Sequence, residues 1–324
     1  MQSESGLADH LYVHFPFCRR KCRYCALHSR PGATRRERDA YAAALAAPAR
    51  GEYATAYFGG GTPALCDLSP LLAAVSAGEF TVELHPLDVT PELMAALRDG
   101  GVNRISMGVQ SLDDEVLADM GRGYTFDTAE KAFLTVKKYI DNAGIDLIVG
   151  YPGERSALTP RHGRLGAWGL RHCSVYALQN ERNLAGAADD DTVMDRLAAV
   201  AGFLGGIGLA RYEISNYAQP GFECRHNLAV WRGEDYLGLG EGAFGRIGRV
   251  RTPSGETLSA VEDAKERAIF RLRTRDGLDA SAFPQWFDAL DWHVREGLLT
   301  RAGRVYRLTR RGAEVCDAIL ADLV

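Results

Sequence analysis

Three cysteines near the start of the chain are the residues best suited to bind a metal. Cys18, Cys22 and Cys25 lie within eight positions of one another and follow a short apolar run. Their thiolates could ligate Zn²⁺ or the irons of an iron–sulfur cluster. A zinc site would need His14 or His28 as a fourth ligand. A [4Fe–4S] cluster held by three thiolates would instead leave one iron free for a ligand that is not part of the protein.

A glycine-rich motif, "FGGGTP", follows the second apolar run and contains Gly60, Gly61 and Thr62. Glycines allow backbone N–H and C=O groups to approach a ligand without interference from a Cβ atom. Similar motifs bind phosphates or form ordinary tight turns. Its position one strand away from the cysteine loop favours a shared ligand site.

Six short apolar segments predict strands, and stretches of helical periodicity lie between them. The strands are expected at residues 11–15, 54–58, 80–84, 104–109, 145–150 and 173–178. The helices are expected at residues 35–47, 91–99, 113–120 and 128–142. This alternation predicts an α/β fold with a parallel sheet. Since six strands are too few for a closed eight-stranded barrel, we expect a partial (β/α)6 TIM-like barrel.

Residues of unusual type for a strand, and one alanine, stand at or near the ends of these predicted strands. Glu83 ends the third strand, Gln110 follows the fourth and Asp146 lies in the fifth, while Ala177 is near the end of the sixth. Parallel sheets of this kind bind ligands beyond the carboxyl ends of their strands. We therefore expect these residues to converge with the cysteine loop on one face.

The last part of the chain has a different order of predicted helices and strands. A helix, a broken second helix, a hairpin turning at residues 302–303 and a closing helix predict a winged-helix-like domain over 259–324. The barrel and a pocket-lining extension would then occupy 1–250. Arginines in the tail could favour DNA, but Asp288, Asp291 and Glu296 in the second helix oppose phosphate binding. We expect no nucleic-acid partner.

Composition excludes other classes of protein. The 324 residues carry a formal charge of −4, which argues against bulk binding to nucleic acid or acidic membranes. No apolar run approaches the roughly 18–20 residues of a membrane span, and the first residues lack the pattern of a signal peptide. Seven cysteines do not form a disulfide framework. We therefore expect a cytoplasmic protein.

The cysteine spacing after the first strand resembles that of the radical S-adenosylmethionine (SAM) superfamily. The remaining motifs resemble, in order, those of the HemN/HemW family: "YVHFPFC", "FGGGTP", "ELHP", "GVNRISMGVQS", "DLIVGYPG" and "YEISNYAQPGFECRHNLAVWRGEDYLGLGEGA". That family contains oxygen-independent coproporphyrinogen III oxidases and heme chaperones. The resemblance implies a [4Fe–4S] cluster whose free iron chelates SAM, and reductive cleavage of SAM to a 5′-deoxyadenosyl radical.

The resemblance also implies roles for individual residues. The cluster ligands would be Cys18, Cys22 and Cys25. The residues expected to contact SAM are Tyr12, Gly60, Gly61, Thr62, Glu83 and Ala177. The residues that match positions for a second SAM are Gln110, Arg122 and Asp146. An electron donor such as flavodoxin or ferredoxin is implied as a partner.

Three features distinguish the branches of this family. The oxidase carries a further cysteine where this chain has Leu27, and it has a long N-terminal extension where only ten residues precede Leu11 here. "CRHNLAVW" resembles the H-N-x-x-Y-W signature of the chaperone branch, with Val230 in place of tyrosine. The resemblance makes His226 the candidate heme ligand. We therefore expect binding of heme or another tetrapyrrole and delivery to an acceptor hemoprotein; the alternative is an enzyme of the oxidase or methyltransferase type.

Overall fold

The computed structural model describes residues 8–156, 158–179 and 183–323. Its strands are β1 (His10–Phe15), β2 (Phe17–Cys18), β3 (Arg30–Pro31), β4 (Gly51–Gly60), β5 (Val75–Leu84), β6 (Arg104–Gln110), β7 (Ala143–Val149), β8 (His172–Ala177), β9 (Ala210–Arg211), β10 (Asn216–Ala218), β11 (Tyr236–Leu239), β12 (Gly245–Ile247), β13 (Val250–Thr252), β14 (Leu278–Asp279), β15 (Leu299–Ala302) and β16 (Val305–Leu308).

Its α-helices are α1 (Arg35–Ala46), α2 (Ser69–Leu72), α3 (Pro91–Asp99), α4 (Asp114–Met120), α5 (Phe126–Lys137), α6 (Pro160–Gly166), α7 (Asp190–Gly206), α8 (Arg225–Trp231), α9 (Ala260–Leu272), α10 (Phe287–Arg295), α11 (Arg310–Glu314) and α12 (Cys316–Ala321). Residues 1–7, for which no signal segment is predicted, lie outside the described part. Within that part, no helix is both long and apolar enough to cross a bilayer.

The main sheet is mixed and open. Its order is β13-β12-β11-β1-β4-β5-β6-β7-β8-β10-β9. The run from β11 to β8 is parallel, whereas β12 and β13 on one side and β10 and β9 on the other pair antiparallel. All six predicted strands lie side by side in chain order. The predicted partial α/β barrel is therefore confirmed, with no closure of the barrel among the described residues.

The parallel strands divide their side chains between two faces. Successive residues of a strand point to opposite faces, and in β1 the residues Leu11, Val13 and Phe15 are fully buried in the main core. The alternate positions carry polar side chains such as Tyr12 and His14, which point toward the inside of the partial barrel. The outer face is thus an apolar surface for the helices, and the inner face is polar.

The helices begin where the sequence provides caps. Thr90 accepts a hydrogen bond from the Leu93 N–H at the start of α3, and Pro91 occupies its first turn. Gly100 ends this helix. The four predicted helices of the barrel all form, although α5 ends at Lys137, five residues earlier than expected.

The C-terminal region has a core of its own. Leu272, Leu290 and Ile319 are completely buried in one cluster that is separate from the barrel core. β14, β16 and β15 form a small antiparallel sheet beside α9 to α12. These elements match the expected helices and hairpin, and β14 was not anticipated. The boundary between the two domains stays a prediction.

Candidate functional site

Strand pairing joins the two ends of the cysteine loop. β2 and β3 pair as parallel strands, with Phe17 opposite Arg30 and Cys18 opposite Pro31. Within the loop, the Cys25 N–H donates to the Cys22 carbonyl at 3.3 Å. This short ladder closes the loop and holds the three thiols on one side of the barrel.

The three cysteines form no disulfide, are half-buried and lie close enough to influence one another's charge. Burial raises the pKa of Cys18, and the neighbouring Cys25 and Cys22 raise it further, while a hydrogen bond from Thr62 opposes the shift. Among the described residues, no three His, Cys, Asp or Glu side chains gather closely enough to hold a metal ion. The cysteines of a cubane bind different irons and lie farther apart than the ligands of a single ion.

The two histidines considered as zinc ligands have other partners. The Tyr12 hydroxyl lies 2.9 Å from Nδ1 of His14. Nε2 of His28 lies 2.7 Å from a carboxylate oxygen of Glu241.

The glycine motif packs directly against the cysteine loop. A Cβ atom on Gly61 would lie 2.5 Å from the Phe17 carbonyl oxygen and 2.9 Å from the Cys18 sulfur. Gly60 adopts φ +106°, a conformation that favours glycine, with its Cα beside the His14 ring. The two motifs are adjacent, as predicted, because only glycine allows their backbones to approach this closely.

Glu83 faces the interior of the barrel beside the same motif. One of its carboxylate oxygens accepts from the Gly60 N–H at 3.1 Å, and the other accepts from the Tyr57 hydroxyl at 2.7 Å. Burial raises the pKa of Glu83 to about 7, and the negative charge of Asp146 contributes to the increase. This carboxylate is positioned to accept hydrogen bonds from hydroxyl groups of a ligand.

Gln110 occupies an unusual backbone position at the end of β6. Its φ is +70°, in the left-handed region that is uncommon for residues other than glycine. The register between β6 and β7 shifts at Gly108 and Gln110. Such local strain is concentrated at functional sites, so the position agrees with the predicted binding role.

Arg122 and Asp146 lie on the same side of the barrel as the cysteine loop. Arg122 donates to the Gly108 carbonyl at 2.6 Å and to the Tyr124 hydroxyl at 3.1 Å, and it lies 3.6 Å from the Cys22 sulfur. Asp146 accepts from the Ser106 hydroxyl at 3.1 Å. Burial raises the pKa of Asp146. The structure thus brings these residues together, and a second SAM stays a prediction.

Ala177 lies at the end of β8, as expected, but its side chain is on the outer face of the sheet. With Val175 it lines a cavity outside the barrel. A contact from Ala177 to a ligand inside the barrel would therefore use backbone atoms. Tyr12, in contrast, points into the barrel.

His226 lies at the opposite end of the strands from the cysteine loop. Its Nδ1 is 2.8 Å from the Thr55 hydroxyl, and Thr55 pairs with His10 at the beginning of β1. The residue is only 4 % exposed, and burial lowers the pKa of His226 to about 3. Its neutral imidazole could ligate iron, but α8 would have to move before a heme could reach it. The heme-ligand role of His226 stays a prediction.

Sequence analysis did not identify the residues that hold α8 in this position. Two N–H groups at the start of α8, those of Arg225 and His226, donate to the Glu79 carboxylate at 3.1 and 3.0 Å. Arg104, 1 % exposed, lies in the same region of the barrel. Side chains alternate between the two faces along β5 and β6, and this alternation places Glu79 and Arg104 on the inner face with Glu83. The same alternation in the sequence could have identified them.

Comparison with known proteins identifies the family. Residues 12–156 match the Radical SAM superfamily, and residues 258–315 match the HemN C-terminal domain. The heme chaperone HemW of Mycobacterium tuberculosis is 32% identical over 373 aligned positions, covering 97% of this chain and 94% of that protein. The chain belongs to the HemW family. The heme chaperone HemW of Escherichia coli is 34% identical over 291 positions, covering 81% of this HemW-family chain and 76% of that protein.

A solved structure shows the same fold. The coproporphyrinogen III oxidase HemN of Escherichia coli, a radical SAM enzyme, superposes with a TM-score of 0.79 and 20% identity. The superposition covers 98% of this HemW-family chain and 90% of the oxidase. Membership of the radical SAM superfamily implies a [4Fe–4S] cluster and SAM as cofactors. The thiol trio and the glycine motif beside it fit these cofactors.

Proposed function

We propose that this HemW-family chain is a heme chaperone that binds heme and delivers it to an acceptor hemoprotein. The observation that carries the proposal is the similarity to heme chaperones over nearly the whole chain, at 32% identity with 97% of this chain covered. A fold shared with an oxidase at 20% identity does not favour the enzymatic alternative to the same degree.

The proposed cofactor site lies at the carboxyl ends of the strands. Cys18, Cys22 and Cys25 would hold the cluster, and Gly60 and Glu83 would contact SAM. The cluster and SAM supply one-electron chemistry when they are bound. The chain's own contribution is to orient the ligand through the glycine backbone and the Glu83 carboxylate, and to restrict access of water.

The surface around the cysteine loop supports a proposal about the electron donor. Basic residues of the loop and its flank are Arg19, Arg20, Lys21, Arg23 and Arg30. Asp88, Asp119 and Glu241 pair with three of them. The excess of positive charge beside the cluster suits an acidic redox protein such as flavodoxin or ferredoxin. We place the reaction partners and the chain in the cytoplasm.

Anaerobic reconstitution followed by heme transfer tests the proposal. The reconstituted chain should take up heme with a defined Soret band and pass it to an apo-hemoprotein such as apomyoglobin. Added coproporphyrinogen should not be consumed. Consumption of coproporphyrinogen coupled to 5′-deoxyadenosine formation, or the absence of saturable heme binding, would contradict the proposal.

A pair of variants tests the role of His226 separately. His226→Ala and His10→Ala each remove an imidazole that contacts the Thr55 hydroxyl, at 2.8 and 2.9 Å. If His226 ligates the heme iron, only His226→Ala should shift the Soret band. Equal spectra for both variants would remove His226 as the ligand.

A further inference from the structure

A cavity of about 710 Å³ lies on the outer face of the main sheet, between α7 and the C-terminal region. Val175 and Ala177 of β8 form its floor, and residues of α11 and α12 form the opposite wall. Its volume is within the range of about 300–1,000 Å³ that is typical of ligand pockets. The sheet separates it from the proposed cofactor site.

The α7 wall of the cavity consists of apolar and small side chains. Four small residues at helical spacing line it: Ala198, Ala201, Gly202 and Gly205. We call them the small-residue face. Met194 and Leu197 extend this wall toward the start of α7. Because these side chains are small, a planar ring could lie close against the helix backbone.

Arg273 supplies a cation in the cavity wall that is poorly satisfied. Its Nε is buried and has no hydrogen-bond partner among the described residues. Its ion pair with Asp317 spans 3.5 Å, and the Asp317 side chain is 96% exposed. Arg211 and Arg310 also line the cavity. The carboxylates that line it are those of Glu213, Glu314 and Asp317. Arginine at such a site prefers a carboxylate that it can bind through two N–H groups.

Arg273 also connects the cavity with α8. Its guanidinium lies 4.7 Å from the centre of the Trp231 ring, and Trp231 is the last residue of α8. The "HNLAVW" helix is therefore connected with the cavity through the contact of Trp231 with Arg273, although Trp231 itself does not line the cavity. A ligand in the cavity would contact this assembly without any movement of α8.

We infer that the cavity binds a planar tetrapyrrole carrying carboxylate side chains, with the ring on the small-residue face and a carboxylate on Arg273. The inference rests on the proposed function, because heme is a molecule of this class. It adds a location for the tetrapyrrole outside the barrel, on residues that the sequence motifs did not indicate.

The test uses metal-free protoporphyrin IX, because this probe binds without an axial ligand to iron. In Gly202→Leu, the new side chain should fill the cavity and weaken porphyrin binding at least roughly tenfold. Nothing lies within 4 Å of a Cβ at Gly202 or at Gly206, so a side chain can leave the backbone at both positions without a contact at its Cβ. Gly206 does not line the cavity, and Gly206→Leu should bind porphyrin within about twofold of wild type.

A second pair of variants tests the contribution of the Arg273 guanidinium to porphyrin binding. Arg273→Gln should weaken porphyrin binding roughly five- to tenfold, because a charge-assisted hydrogen bond is lost. Arg271→Gln changes an exposed residue of α9 outside the cavity and should have almost no effect. Circular dichroism and thermal melting would verify that all variants are folded.

The outcomes separate the cavity from the proposed function. Porphyrin binding that is lost in Gly202→Leu and kept in His226→Ala supports the cavity. If Gly202→Leu binds as tightly as wild type, or if wild type takes up heme but no metal-free porphyrin, the cavity assignment is wrong and the chaperone proposal survives. If wild type binds neither heme nor porphyrin, both fail.

Discussion

The two ends of the barrel interior differ in how their polar groups are satisfied. At the carboxyl ends of the strands, the three cysteines form no disulfide, and the Glu83 carboxylate remains partly accessible. At the amino ends, Glu79 accepts from the N–H groups of α8 and Thr55 bonds to two histidine rings. The first end has groups available for a ligand, whereas the second end uses most of its groups to hold the fold together. Arg104 Nε and His172 Nδ1 at that second end have no hydrogen-bond partner among the described residues.

This difference shows that a family motif can serve the fold as well as a ligand. His226 belongs to a motif associated with heme, yet in this conformation it closes the base of the barrel. The cysteine motif, in contrast, forms no disulfide, and the glycine motif approaches it without a Cβ atom in the way. The predictions below test this distinction between a ligand-binding end and a structural end.

The largest effect is expected from the cluster ligands. Serine in place of Cys18, Cys22 or Cys25 should abolish cluster assembly, because each thiolate would hold a different iron. Iron content and the visible absorbance after anaerobic reconstitution measure the loss. Cys66, which is buried elsewhere, provides the control, and Cys66→Ala should retain the cluster. A full cluster in any of the three serine variants would contradict the assignment.

At the structural end, Glu79→Ala should strongly destabilise the fold. The substitution leaves the N–H groups of Arg225 and His226 without an acceptor, and it removes a negative charge near the buried Arg104. We expect the free energy of unfolding to fall by about 2–4 kcal/mol. Urea denaturation measures it, with the exposed Glu52→Ala as control. A loss below about 0.5 kcal/mol would refute the structural role.

A substitution in the glycine motif should change stability by an intermediate amount. Gly61→Ala places a Cβ atom 2.5 Å from a backbone carbonyl oxygen, and we expect a loss of about 1–3 kcal/mol in stability together with reduced cluster content. Gly163→Ala in α6 meets nothing within 4 Å and should instead stabilise by about 0.5–1 kcal/mol. Similar stabilities for the two variants would show that the close approach to Phe17 is not required.

The smallest effect concerns the pH dependence of Glu83. Burial and Asp146 raise the pKa of Glu83 to about 7 in the folded state, so the native protein retains a proton that the unfolded chain loses between about pH 4.5 and 7. Stability from this group is present below that range and is lost as pH rises through it. Between pH 5 and pH 8, wild type should lose about 1–3 kcal/mol more than Glu83→Gln.

Denaturation at a series of pH values measures this difference. Glu92→Gln, on the exposed side of α3, is the matched control and should follow the wild-type curve. Equal pH dependence in wild type and Glu83→Gln would mean that Glu83 is ionised throughout this range.

Much of the barrel could be predicted because its signals are local. The apolar runs identified all six strands in the correct order, and Thr90, Pro91 and Gly100 predicted the limits of α3. The parallel strand β11 was missed, since Tyr236–Leu239 is short and contains a glycine. The 17-residue α7 was also missed, because its apolar and small residues surround the helix and show little periodicity.

The candidate site could be predicted where its residues belong to contiguous motifs. Cys18, Gly61 and Glu83 meet because adjacent parallel strands bring their carboxyl ends together. The position of His226 could not be predicted, since it depends on contacts between α8 and Glu79 across 147 residues of sequence. Such a long-range contact leaves no local pattern.

The most direct test is a titration of SAM into the reduced, reconstituted protein, followed by electron paramagnetic resonance of the cluster. Two variants distinguish the ends of the barrel: Glu83→Gln at the ligand-binding end, and Thr55→Val, of similar shape, at the structural end. We predict that SAM changes the wild-type spectrum, that Glu83→Gln weakens this response about tenfold, and that Thr55→Val leaves it within about twofold. A spectrum insensitive to SAM, or equal weakening in both variants, would contradict the account.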